Sequence, residues 1–146
     1  MLPIIVTKKQ KVLIIGAGKA CEIKLRVLSN HPCHITVVAD QFLCKLDEHI
    51  EKIHESFEEL NEAFFEPFDL IYIGIPLKNN DMVEKLLKTK MVNVLSNPSL
   101  SSFIHPCTRD DGDIMVSVNN INTINPKKAC SWANQFIEYK KCQKNN

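Results

Sequence analysis

The stretch VLIIGAGKACEIK, residues 12–24, decides how the rest of the chain reads. Val12 to Ile15 form a short, continuous branched run of the kind that fills a strand buried on both faces. Gly16 and Gly18 follow one residue apart. A helix is expected at once over residues 19–29, with Cys21, Leu25 and Leu28 on one face and Ala20 and Val27 beside them. Asn30 and Pro32 then end it. A glycine turn between a buried strand and a helix suits phosphate. The first glycine allows the tight turn, the second lets backbone approach a pyrophosphate, and a third small residue lets helix and strand pack closely. Gly16, Gly18 and Cys21 take those three places, with Ala17, Lys19 and Ala20 completing the turn. The helix N-terminus adds free N–H groups and the positive end of its dipole. A glycine pair after a strand also serves simple chain reversal, so the turn alone leaves both readings open.

The next segments favour the first. His34 to Ala39, HITVVA, reads as a second strand, and it ends at Asp40 and Gln41, roughly twenty residues past the turn. An acidic side chain there accepts hydrogen bonds from a ribose 2′-hydroxyl and repels a 2′-phosphate, which points to NAD over NADP. Leu46, Ile50, Ile53 and Phe57 recur at helical spacing among charged residues, predicting a short amphipathic helix. FDLIYIGIP around Ile71 predicts a third strand, residues 80–88 a helix, and MVNVL from Met91 a fourth strand. Strands alternating with helices imply an α/β, Rossmann-like parallel sheet with helices on both faces.

Beyond that point the pattern changes. Residues 103–108 and 114–118 flank RDDGD, whose Asp-Gly is a hairpin-turn signal that also explains Asp110, Asp111 and Asp113. Asn125-Pro126 supplies an N-cap and a first-turn proline. The helix that follows carries Ala129, Trp132, Ala133, Phe136 and Ile137 at the spacing of one apolar stripe, and its tail KKCQKNN is expected to fray. The domains expected are a dinucleotide-binding unit over 1–109 and a hairpin with a C-terminal helix over 110–146, the latter a dimer contact.

Composition excludes several classes. Formal net charge is +1 in 146 residues with both signs interspersed, so no nucleic-acid or membrane surface is indicated. No apolar run approaches the roughly 20 residues that span a bilayer. MLPIIVTKKQ is too short in its apolar part for a signal peptide, so a cytoplasmic protein is expected. Lys8, Lys9 and Lys11 read as a solvated approach to the first strand. The six cysteines form no CxxC pair, and reduced thiols are the expectation. HPCH, residues 31–34, gathers three ligand-type side chains, yet turn and strand-start positions account for them, and no metal is assigned.

With these elements in order, the chain resembles the precorrin-2 dehydrogenase family of sirohaem biosynthesis, which includes the NAD-binding modules of sirohaem synthases. The resemblance rests on MLPI, on KVLIIGAGKACEIK against the family's strand-GGGxxAxxK, on ITVVAD, and on VNVLSNPSLSSFIHP against a VNVxDxPxxxxFxxP pattern. GDIMVSV and the Asn-Pro helix start also match, so coverage runs from Met1 to about Ile137. Family members usually continue into a further helical region. The resemblance implies NAD-dependent oxidation of precorrin-2 to sirohydrochlorin, with iron insertion in some members, and a homodimer. By position, cofactor contacts fall on Gly16, Gly18, Lys19, Ala20, Asp40 and Gln41.

Three departures cluster where the tetrapyrrole is expected. The family aspartate that acts as general acid or base falls on Ser96, followed by Asn97. The family's Ala-Thr after the third strand becomes Gly74-Ile75, and its glycine-rich Ser-x-Gly-Gly-x-Ser-Pro segment becomes NINTINP, with Asn122 and Thr123. A serine hydroxyl does not exchange protons near neutral pH as a carboxylate does. His105, in the loop beyond the fourth strand, is the candidate replacement. The alternative is a family member that binds NAD or tetrapyrrole as a carrier or regulator without turnover.

Overall fold

The computed structural model describes residues 8–110, 112–120 and 125–144. The described residues fall into two compact units, one running up to Ile104 and the other from His105 onward. The expectations resting on MLPI, Asp111, Asn122 and Thr123 fall outside the described residues.

The first unit is a five-stranded parallel sheet in the order β3-β2-β1-β4-β5, from β1 (Gln10–Ala17), β2 (Cys33–Phe42), β3 (Glu51–Ile53), β4 (Leu70–Ile73) and β5 (Met91–Val94). Alternation along β1 sorts its apolar side chains onto two faces. Val12 and Ile14 join Val37, Tyr72 and the Cys21, Leu25 and Leu28 face of α1 (Lys19–Leu28). Leu13 and Ile15 join Ile71, Ile73 and Val92 under α2 (Glu62–Phe65) and α3 (Asp81–Leu86), through Phe65, Val83 and Leu86. Helices on both faces follow from this double burial.

The amphipathic helix expected around Leu46 to Phe57 does not form. Leu46 and Ile50 are buried on the α1 face, whereas Ile53 packs on the opposite one. The chain between them rounds the sheet edge, where Glu51–Ile53 pairs with Thr36 to Val38. The Thr36 hydroxyl, nearly buried, donates to Glu51 at 2.8 Å. Phe57 falls in a short 3-10 turn, Phe57–Glu59. The four-residue spacings came from two apolar pairs serving different faces.

After β5 the chain doubles back along the sheet's open edge. Ser102 and Ser101 accept from the Val92 and Val94 N–H groups through their hydroxyls, each at 2.8 Å, and blunt that edge. The buried Asn93 amide donates to the Phe103 carbonyl at 2.6 Å, and the Phe103 ring meets Tyr72 edge-on. Phe103 therefore belongs to the sheet's edge cover and not to a hairpin strand, as its sequence position had suggested.

In the second unit, β6 (Cys107–Asp110) starts directly after Pro106 and pairs antiparallel with β7 (Met115–Val118). Gly112, at φ +87°, turns the hairpin. Asn125 caps α4 (Pro126–Lys144) by accepting from the Lys128 N–H at 3.1 Å. The helix runs through Lys144. The apolar stripe is narrower than the sequence suggested. Ala129, Ala133 and Ile137 are buried, while Trp132 and Phe136 are more than half exposed. Cys107 and Cys130 are joined in a disulfide linking β6 to α4, which corrects the expectation of reduced thiols throughout.

Candidate nucleotide site

In a parallel sheet of this order the crevice opens at the carboxyl ends of the two strands where the winding reverses. Those strands are β1 and β4. At the end of β1, Gly16 takes φ +95°, a left-handed conformation that a side chain resists. A Cβ there would also press within 2.8 Å of Ile75 Cγ2.

Gly18 is different. It is the N-cap of α1 with extended backbone (φ −92°, ψ −176°), no side chain caps the helix, and a Cβ at this position would meet no atom within 4 Å. Packing inside the unit does not require a glycine here. The helix N-terminus faces open space with its first N–H groups free of side-chain acceptors, an arrangement that fits a phosphate.

The third small position is filled by the wholly buried Cys21, whose thiol lies 3.6 Å from the Ile15 carbonyl. Burial pushes this thiol up to about 11, against a weaker downward pull from the Gly18 backbone, so it stays protonated and serves packing. Room for its sulfur comes from Gly74 at the end of β4, where a Cβ would run into Cys21 Sγ. Cysteine in place of glycine on α1 is thus matched by glycine on β4. Reading along the chain could not pair the two, because they meet only across the β1–β4 junction.

β2 brings Asp40 and Gln41 beside the turn. Ile15 pairs with Val38 and Ala17 with Phe42, so three residues of β2 face the single Gly16 in a bulge. Asp40 and Gln41 sit in that bulge, both exposed. Ser96 lies exposed in the turn after β5, at the same end of the sheet and two strands from β1. The neighbouring Asn97 is occupied, its side chain accepting from the Ser99 N–H at 3.3 Å and the Ser99 hydroxyl at 2.6 Å. His105 falls in the second unit and is half-buried there. Among the described residues no group of three or more His, Cys, Asp or Glu is arranged to hold a metal, and no helix is long and apolar enough to cross a membrane.

Sequence reasoning missed one feature. The segment after β4 carries Lys78, whose ammonium meets Glu58 Oε1 at 2.9 Å beside a cavity of about 260 Å³. Phe57, Pro76, Leu77 and Met82 supply its apolar wall. No periodicity or motif marks Lys78 or Glu58, because each comes from a connection between elements.

Residues 4–107 match the model of the NAD_binding_7 family, described as "Putative NAD(P)-binding". Among solved structures, the chain is similar to SirC, a precorrin-2 dehydrogenase, with a TM-score of 0.69 at 18% identity, covering 95% of this chain and 71% of that one. At that identity the likeness is one of fold. No curated protein matches.

Proposed function

The chain belongs to the NAD_binding_7 family, and on that premise we propose that it binds NAD at the Gly16–Gly18 turn as a divergent relative of the precorrin-2 dehydrogenases. The observation that carries this reading is Gly18, a glycine that packing within the unit does not need, at an uncapped helix N-terminus. In this reading the backbone of Ala17, Gly18, Lys19 and Ala20 receives the pyrophosphate, Asp40 accepts from the ribose hydroxyls, and Gln41 flanks that ribose. The bound nicotinamide supplies a hydride acceptor. The protein's own part is to hold it against the substrate and to manage the proton.

The proton is where this chain departs from its relatives. Ser96 presents a hydroxyl at the position where the resemblance calls for a carboxylate, and the Asn97 side chain is engaged in its own turn. Slow oxidation of precorrin-2, or none, is the expected behaviour of the unmutated chain. The second reading, a NAD- or tetrapyrrole-binding carrier without turnover, draws on the same absence.

Anaerobic incubation with precorrin-2 and NAD, following NADH and sirohydrochlorin absorbance together, tests this. Ser96→Asp is expected to raise the rate by up to the roughly 10²–10⁴-fold that a positioned acid or base contributes. Rapid turnover by the unmutated chain, unchanged by Ser96→Asp but abolished by His105→Ala, would move the proton chemistry to the histidine. NAD binding with no turnover in either form would select the carrier.

A further inference from the structure

Resting on the NAD reading above, we propose that Glu58 and Lys78 are specificity determinants, Glu58 tethering Lys78 so that Asp40 keeps an unneutralised charge and the site selects a ribose 2′-hydroxyl over a 2′-phosphate. The 3-10 turn after β3 carries Glu58 and the segment after β4 carries Lys78, and the two meet in an ion pair at 2.9 Å, although β2, whose bulge holds Asp40, and β1 lie between β3 and β4 in the sheet. Lys78 has 82% of its side chain exposed, and its ion pair among the described residues is to Glu58. The Glu58 carboxylate raises the Lys78 ammonium above its ordinary range, and Asp40 adds a smaller push in the same direction, so Lys78 lies within the field of both.

Charge around the cavity explains the selectivity. Asp81 and Lys85 also line it, and Lys85 is engaged by Glu62 at 2.7 Å. The lining itself is balanced, Glu58 and Asp81 against Lys78 and Lys85, but each lysine is engaged by a glutamate, Lys78 by Glu58 and Lys85 by Glu62, so neither is committed to Asp81 or to Asp40. A 2′-phosphate brings close to two more negative charges beside Asp40, whereas a 2′-hydroxyl donates to Asp40 at no such cost. A lysine released from Glu58 reverses the balance. It is then free both to neutralise Asp40 and to pair with a phosphate. Glu58 is thus a positioning residue that acts through Lys78.

The test is calorimetric titration of the full chain with NAD and with NADP, comparing the unmutated protein, Glu58→Gln, Glu58→Asp and Glu58→Gln/Lys78→Ala. The unmutated chain is expected to prefer NAD. Glu58→Gln should narrow the preference roughly fivefold, the size of one exposed charge interaction, through tighter NADP binding. The double variant should lose that gain, and Glu58→Asp should retain the original preference. NAD binding with the ratio unmoved in Glu58→Gln, or moved equally in the double variant, overturns this inference alone. Failure of the unmutated chain to bind NAD overturns the dinucleotide reading and this inference with it.

Discussion

Cys21 and Gly74 together show how this chain fills a position where a glycine turn calls for a small residue. The sulfur fills the space that a β4 side chain would need, with no measurable exposure. Gly74→Ala is expected to destabilise the protein by about 1–3 kcal/mol, the usual cost of overpacking a well-filled core. Combining it with Cys21→Ala should recover much of that loss, because the clash needs both atoms. Denaturant melts of the two single variants and the double variant check this, and strictly additive losses would refute it. The placement of Gly16 and Gly18 between β1 and α1 was legible from spacing alone, since a strand followed by G-x-G and a helix constrains the backbone locally. The Gly74 role was not, because it depends on a contact between β4 and α1. Gly74 registered in the sequence only as a departure from the family pattern.

At the scale of elements, four of the five sheet strands were legible, whereas β3 and the connections were not. Branched runs at Val12, Ile35 and Ile71 can only be buried, and they are. Leu46 to Phe57 misled because edge pairing with β2 outweighed a helical spacing drawn from four charged-flanked apolar residues. On α4, periodicity located the helix but could not say how wide its buried stripe would be. The hairpin covers Ala129, Ala133 and Ile137, leaving Trp132, Phe136 and Tyr139 as an exposed aromatic row with relative exposures of 59%, 52% and 66%. Large aromatic side chains in such a row are the usual anchors of an interface, and we propose that they form the homodimer contact. Phe136→Glu is then expected to weaken association by about 2 kcal/mol or more. Sedimentation equilibrium reads this directly. A monomer at high concentration in the unmutated protein would count against it.

At the scale of the molecule, the parallel sheet carries the functional argument. Because β1, β2, β4 and β5 all run the same way, the glycine turn, Asp40 and Ser96 collect at one end without needing to be close in sequence. Alternating strand and helix signals were enough to foresee that end of the sheet and the turn upon it. The pair of Glu58 and Lys78 escaped notice because its members arrive from two separate connections. The central claim is that the open face of Gly18 receives a dinucleotide pyrophosphate, and calorimetric titration of NAD into the unmutated chain and into Gly18→Val tests it most directly. A valine Cβ meets nothing in the unit and the backbone is already extended, so the variant should stay folded while its side chain fills the space the pyrophosphate requires. The expected result is NAD binding by the unmutated chain and its loss in a folded Gly18→Val variant. Equal NAD affinity in the two, or no binding by the unmutated chain, would contradict the account.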